Sequence, residues 1–256
     1  MTGRFNRLSM DHITAEDKAV GAAVGAVLAG AVGLALINPL AGDASAETTA
    51  QAAAKNGSVA ASVSNQSNQS NQSSGSTALS AAEARKMGYK VPPRDVDPSE
   101  VIKLAEKQVG ISEGRGGQTK YHDWFVSTPH AKATAKRDGG FSVKAYNGAQ
   151  WCNMFVSWLG AQTGVKNMGW DAYTVQHASW FKKTGRWGQK AKPGSVVFFD
   201  WDRGSSIGAI DHVGIVVKDN GNGTVSTVEG NTNNKVEKKV RSKSLIVGYG
   251  YPDYKA

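Results

Sequence analysis

All seven tryptophans of this 256-residue chain lie between positions 124 and 201, and six of its seven phenylalanines and six of its seven tyrosines lie beyond position 96. Large aromatic side chains supply much of the area that a core removes from water, so the core has to be built there. Between about residues 46 and 96 apolar side chains are sparse, and such a stretch buries too little surface to offset the entropy of ordering it. The chain therefore divides near residue 96, with one domain of about 160 residues over 96–256 and appendages before it. A domain of that size can bury a sizeable core. It has to, because a single cysteine, Cys152, excludes an intrachain disulfide.

The first 46 residues have the three parts of an export signal: a polar start with Arg4, Arg7 and Lys18, an apolar run over 19–40, and the small-x-small triplet Ala44-Ser45-Ala46 as a cleavage site. A signal peptide over 1–46 and a secreted or wall-associated product are expected. The 22-residue run is also long enough to span a bilayer, so an N-terminal membrane anchor is the competing reading, weakened by its many Gly and Ala. Over 47–95 a flexible linker rich in Ser, Asn and Gln is expected, with Asn-Gln-Ser occurring three times in a row over 65–73. A short helix over 79–87 and the stiff Val91-Pro92-Pro93 lead into the domain. The formal net charge is +9, and without residues 1–46 the remaining 27 basic and 17 acidic residues leave +10. That excess favours polyanions, among them nucleic acid, anionic lipid and anionic wall polymers, or serves solubility alone.

Asp97-Pro98-Ser99-Glu100 predicts a helix start, with Asp as cap, Pro in the first position and Glu100 reaching back to the cap. Val101, Leu104 and Ala105 share one face, and Gly110 is the stop. From there to about residue 148 the chain reads as loose. A second helix is predicted over 151–162, with Met154, Phe155, Trp158 and Leu159 as its apolar stripe, Gly164 as its stop and Cys152 in its first turn. The period then changes. Residues 195–201, 212–218, 224–229 and 235–241 read as strands, with 245–251 as a fifth, and Pro193-Gly194 and Asp219-Asn220-Gly221-Asn222-Gly223 as turns. The fold class is α+β, with N-terminal helices packed on an antiparallel β-meander.

Three residues in this frame carry chemistry. A thiol attacks a carbonyl as thiolate, and the unpaired N–H groups of a helix N-terminus, where Cys152 stands, stabilise that anion and the oxyanion that follows. The alternative for Cys152 is a small inert core residue. His212 opens a predicted strand, where the backbone is fixed and the ring can project as a general base. Glu229 ends the neighbouring strand, and a hairpin through the Asn-Gly turn brings it to His212, where a carboxylate would hold the imidazole in its working tautomer. Alone, each has an ordinary reading: a partly exposed histidine, a strand-end glutamate facing water. His122, in an aromatic loop, and His177, before Trp180-Phe181, are weaker candidates for the base. Metal-ligand spacings and a phosphate-cradling glycine loop are missing, and the basic stretch over 180–192 is better read as a solvated face than as a nucleic-acid site.

Asn147-Gly148-Ala149-Gln150-Trp151-Cys152-Asn153-Met154-Phe155-Val156-Ser157-Trp158, then Asp211-His212-Val213-Gly214-Ile215-Val216, then Val228-Glu229-Gly230-Asn231-Thr232, resemble the CHAP domain, the cysteine, histidine-dependent amidohydrolase/peptidase. Agreement runs from about Val101 to Tyr254. The resemblance implies a papain-like fold and hydrolysis of peptidoglycan, as an N-acetylmuramoyl-L-alanine amidase or a cross-bridge endopeptidase. It implies Cys152 as nucleophile, His212 as base, Glu229 as the residue orienting it and Asn231 as a fourth polar partner. A cysteine peptidase acting on proteins and a non-catalytic wall-binding protein are the alternatives. Some CHAP proteins hold calcium through aspartates just before the cysteine, but residues 139–151 contain no carboxylate, so no metal and no cofactor are expected. Ser195 stands where the family often has Asp. Since no wall-binding repeat accompanies the domain, the basic charge or the cleft itself would have to direct it to peptidoglycan and anionic wall polymers. No nucleic-acid partner is expected, and no membrane partner once the signal is cleaved.

Overall fold

The computed structural model describes residues 79–255, so the export-type segment and most of the expected linker lie outside the described residues. Helix α1 (Ala81–Met87) is set by a Ser80/Glu83 capping box and stopped by Gly88 in the left-handed region. The short segment after it, counted with the linker from its composition, is packed against the domain. Ala84 is fully buried, the Trp124 indole donates to the Gly88 carbonyl at 2.9 Å, and the backbone N–H groups of Lys90 and Arg94 donate to the carbonyls of Ala161 and Gly164. Backbone pairing and one indole, rather than an apolar run, attach it, which is why composition did not reveal it.

Helix α2 (Pro98–Glu106) starts as predicted, with Asp97 and Glu100 forming both halves of the capping box. The stretch read as loose is not. It contains α3 (Lys120–Ser127), capped by Thr119, and α4 (Pro129–Arg137), capped by Thr128 with Pro in its first turn. Helix α5 (Cys152–Thr163) is buried on nearly every side, and Gly164 at φ 72° ends it. Helix α6 (Thr174–Lys183) buries His177, Ala178 and Phe181.

The remaining chain forms six antiparallel strands: β1 (Trp187–Gly188), β2 (Val196–Phe199), β3 (His212–Asp219), β4 (Thr224–Thr232), β5 (Lys235–Ser242) and β6 (Ile246–Gly250). Their order in the sheet is β1-β6-β2-β3-β4-β5. The meander holds for β2 to β5, but β6 crosses back to the free edge of β2 and carries the two-residue β1 on its far side. The alternation of β3 points Val213 and Ile215 into the main core under α5, together with Phe155, Phe198 and Val228. The other face holds a smaller cluster of Val197, Phe199, Trp201, Val216, Leu245 and Tyr249. Among the described residues the architecture is α+β, with six α-helices and one antiparallel sheet.

Candidate active site

Cys152, His212 and Glu229 converge at one end of the sheet, where β3 begins, β4 ends and the N-terminus of α5 abuts. Cys152 is buried in the first turn of α5. Trp151 precedes the helix and offers no side-chain cap, so among the described residues no capping side chain takes up the first-turn N–H groups beside the sulfur. Its indole is instead anchored by donation to Glu113 Oε1 at 2.8 Å and by stacking on Tyr121 at 5.3 Å. Close approach to β4 requires glycine: a Cβ at Gly230 would lie 2.6 Å from Phe155 Cβ and 2.9 Å from the Trp151 ring.

His212 is 2 % exposed, and its Nε2 stands 3.0 Å from Glu229 Oε2. Its Nδ1 is buried without a hydrogen-bond partner of good geometry, yet the thiol of Cys152 is near enough to act strongly on the ring. Burial favours the neutral imidazole, but Cys152 first and Glu229 second outweigh it and push the pKa up to about 9. The ring lies against Trp201, with centroids 5.4 Å apart, and Phe199 stacks on it at 6.0 Å. Those two aromatics belong to the smaller cluster, which therefore fixes the plane of the ring.

Glu229 is fully buried and crowded with donors. Arg241 reaches Oε2 through Nη2 at 2.7 Å and through Nε at 3.2 Å, Thr227 Oγ1 donates to Oε1 at 2.5 Å, and Thr232 Oγ1 lies 3.4 Å from Oε2. Burial alone would raise its pKa, but the charge of Arg241 and the bonds from His212 and Arg241 hold it well below the ordinary carboxylate range. Arg241 is 1 % exposed and lies over Trp201 at 4.8 Å. A buried glutamate is tolerable only with such compensation. On β3, Gly214 leaves room for it, since a Cβ there would lie 2.7 Å from Glu229 Cγ.

Asn231 reaches the same end, at φ 56° within a register shift of β4 against β5. Its Nδ2 donates to Gln150 Oε1, two residues before Cys152. The further contact to the His212–Glu229 pair comes from Thr232 instead, 3.4 Å from Nε2. His122 and His177 lie elsewhere. His122 receives the Thr119 N–H at Nδ1 and sits 2.8 Å from the Ala149 carbonyl, whereas His177 lies between Asn153 and the Met168 carbonyl with its pKa pulled down to about 4 by burial. Both are satisfied interior groups.

Arg241, Trp201, Thr227, Thr232 and Gln150 were not singled out in the sequence. Arg241 left no signal in the sequence: β5 exposes Val240 while burying Arg241, a reversal that only the strand register reveals. Among the described residues no group of three or more His, Cys, Asp or Glu side chains could hold a metal ion.

The family model of the CHAP domain matches residues 144–231, a span that includes Cys152, His212, Glu229 and Asn231. No curated protein matches the chain.

Proposed function

We propose that the chain is an exported peptidoglycan hydrolase that cleaves an amide bond by cysteine catalysis, as an N-acetylmuramoyl-L-alanine amidase or a cross-bridge endopeptidase. The CHAP match supports a peptidoglycan hydrolase or amidase-like function. The observation that carries the finer reading is the convergence of Cys152, His212 and Glu229, with the imidazole 3.0 Å from a carboxylate and the thiol near enough to raise the pKa of the ring. A nucleophile-bearing helix set against a base-bearing sheet also supports a papain-like fold.

In this mechanism the proton of the Cys152 thiol passes to His212 Nδ1, the ring nitrogen not bonded to Glu229. The sulfur attacks the carbonyl carbon of the scissile amide, and the carbonyl π pair moves onto oxygen. Backbone N–H groups at the uncapped start of α5 stabilise that oxyanion. Gln150, oriented by Asn231, makes no hydrogen bond through its amide nitrogen among the described residues and is a second donor. Collapse re-forms the carbonyl and breaks the C–N bond as His212 gives its proton to the departing amine. Water, deprotonated by the same ring, then attacks the thioester, releasing a carboxylic acid and the thiol. Glu229, fixed by Arg241, orients the ring and stabilises its charged form throughout.

Export through residues 1–46, with the anchored form as its alternative, and attraction of the basic chain to anionic wall polymers belong to the same proposal. Digestion of purified wall material, with mass analysis of the products, tests it. New amino termini with free lactyl groups identify an amidase, and opened cross-bridges an endopeptidase. Cys152→Ala should abolish release; a protein that still turns over, or a wall left intact by the unaltered chain, would sink the proposal.

A further inference from the structure

A concavity of about 670 Å³ lies on the helical side of the domain, lined by Trp170, Trp180, His130, Gln176, Ser179 and Lys183 among others. Two half-buried indoles form its apolar surfaces, and both are held in place. Trp170 packs on Tyr89 at 4.3 Å and edge-on to Trp124 at 5.4 Å, while its carbonyl accepts from His130 Nε2 at 2.5 Å. Trp180 lies against Phe181 at 5.1 Å and His177 at 6.5 Å. Just before Trp170 the chain passes through Gly169 at φ 72°, where a Cβ would meet both His177 and Trp180 within 2.8 Å.

Of the polar groups around these rings, Arg137 and Asp171 are paired with one another and His130 with the Trp170 carbonyl, but those of α6 are uncommitted. Gln176, Ser179 and Lys183 fall with Trp180 at three- and four-residue spacing on one face of α6, and the side chains of the three make no hydrogen bond or ion pair among the described residues. Fixed flat apolar surfaces with uncommitted donors and acceptors at their edges suit a ligand that is itself flat, apolar on its faces and polar around its rim. A pyranose ring has that form: C–H groups on its faces, hydroxyl or acetamido groups at its edge. The cleft also adjoins the nucleophile's helix. Asp171 lines it, and the Asp171 carbonyl accepts from Asn153 Nδ2 and Ser157 Oγ, each at 3.0 Å; Asn153 follows Cys152 directly.

We propose that this cleft is a saccharide subsite that seats an N-acetylhexosamine unit of the substrate's glycan strand while the attached peptide reaches Cys152. The inference rests on the hydrolase reading for its substrate class but not for its geometry. The test titrates the full-length Cys152→Ala protein with the tetramer of N-acetylglucosamine, following indole N–H resonances by NMR and tryptophan fluorescence. Saturable shifts at Trp170 and Trp180 are expected, with affinity falling at least tenfold in Trp180→Ala. Because loss of an indole can disturb folding, a Gln176→Ala/Ser179→Ala/Lys183→Ala protein, altered only on the surface of α6, should show the same direction of effect. With active protein the same changes should raise KM on wall material. No shift, or shifts confined to other residues, in a protein whose active form digests wall overturns the subsite and leaves the hydrolase reading standing. Shifts at both indoles without wall digestion by the active form keep the subsite and remove the hydrolase reading. Neither binding nor digestion overturns both.

Discussion

His212 stands between influences of opposite sign, burial against its charge and the Cys152 and Glu229 groups in favour of it. Its folded pKa, about 9, lies above the ordinary 6.5, so the stabilisation it contributes is complete below about 6.5 and is lost as pH rises through about 9. Thermal melts should therefore show the unaltered protein losing stability over that window. Cys152 is one of the two groups that raise the pKa, so in Cys152→Ala the imidazole should titrate at lower pH and the loss should begin earlier; equal midpoints by NMR would refute this. At Glu229 the decisive neighbour is Arg241. Arg241→Met leaves a buried carboxylate short of its main compensating charge and should destabilise by about 3–5 kcal/mol in denaturant titrations. Adding Glu229→Gln to it should recover part of that loss while leaving the protein inactive. Cys152, His212 and Glu229 are legible in the sequence because few side-chain types can act as nucleophile, base and orienting carboxylate. Arg241 is not, because a basic residue in a strand with three lysines resembles a solvated one until the register is known.

Helix and strand ends carry the site, so the elements matter through their approach. Gly214 lets β3 pass Glu229, and Gly214→Ala would push a Cβ to 2.7 Å from its Cγ. We expect that substitution to cost about 1–3 kcal/mol. It should also lower kcat more than KM, because the displaced carboxylate orients the ring rather than binding substrate; a fall in KM-dependent rate alone would count against that role. Helices α2 and α5 were legible, one from the capping box at its start and the other from its apolar stripe and the Gly164 stop. Helices α3 and α4 were not. The buried face of α4 consists of Ala131, Thr134 and Ala135, side chains too small to draw a hydrophobic stripe, and its start is marked only by Thr128-Pro129. Strand β1 is two residues long and exists only because β6 lies beside it.

At the scale of the whole molecule, the packed unit reaches back to α1, since that helix lies against α4, Gly88 at its end accepts from the Trp124 indole, and Lys90 and Arg94 beyond it pair with the end of α5. A chain beginning at residue 96 should therefore melt below one beginning at residue 79, and equal melting temperatures would mean that these contacts contribute nothing. The net charge of +9 predicts adsorption to anionic wall polymers that weakens as salt rises, measurable by co-sedimentation. By itself the sequence determined where the core lies, that helices precede strands, and that Cys152 opens a helix while His212 opens a strand. These depend on aromatic content, caps, turns and period, all of which act within a few residues. Only the tertiary structure decided that β6 returns to β2, that Trp201 lies on the imidazole, and that Arg241 neutralises Glu229. Such contacts join residues far apart in the chain, and their partners are selected by strand register and by the need to compensate buried charge, neither of which leaves a local mark.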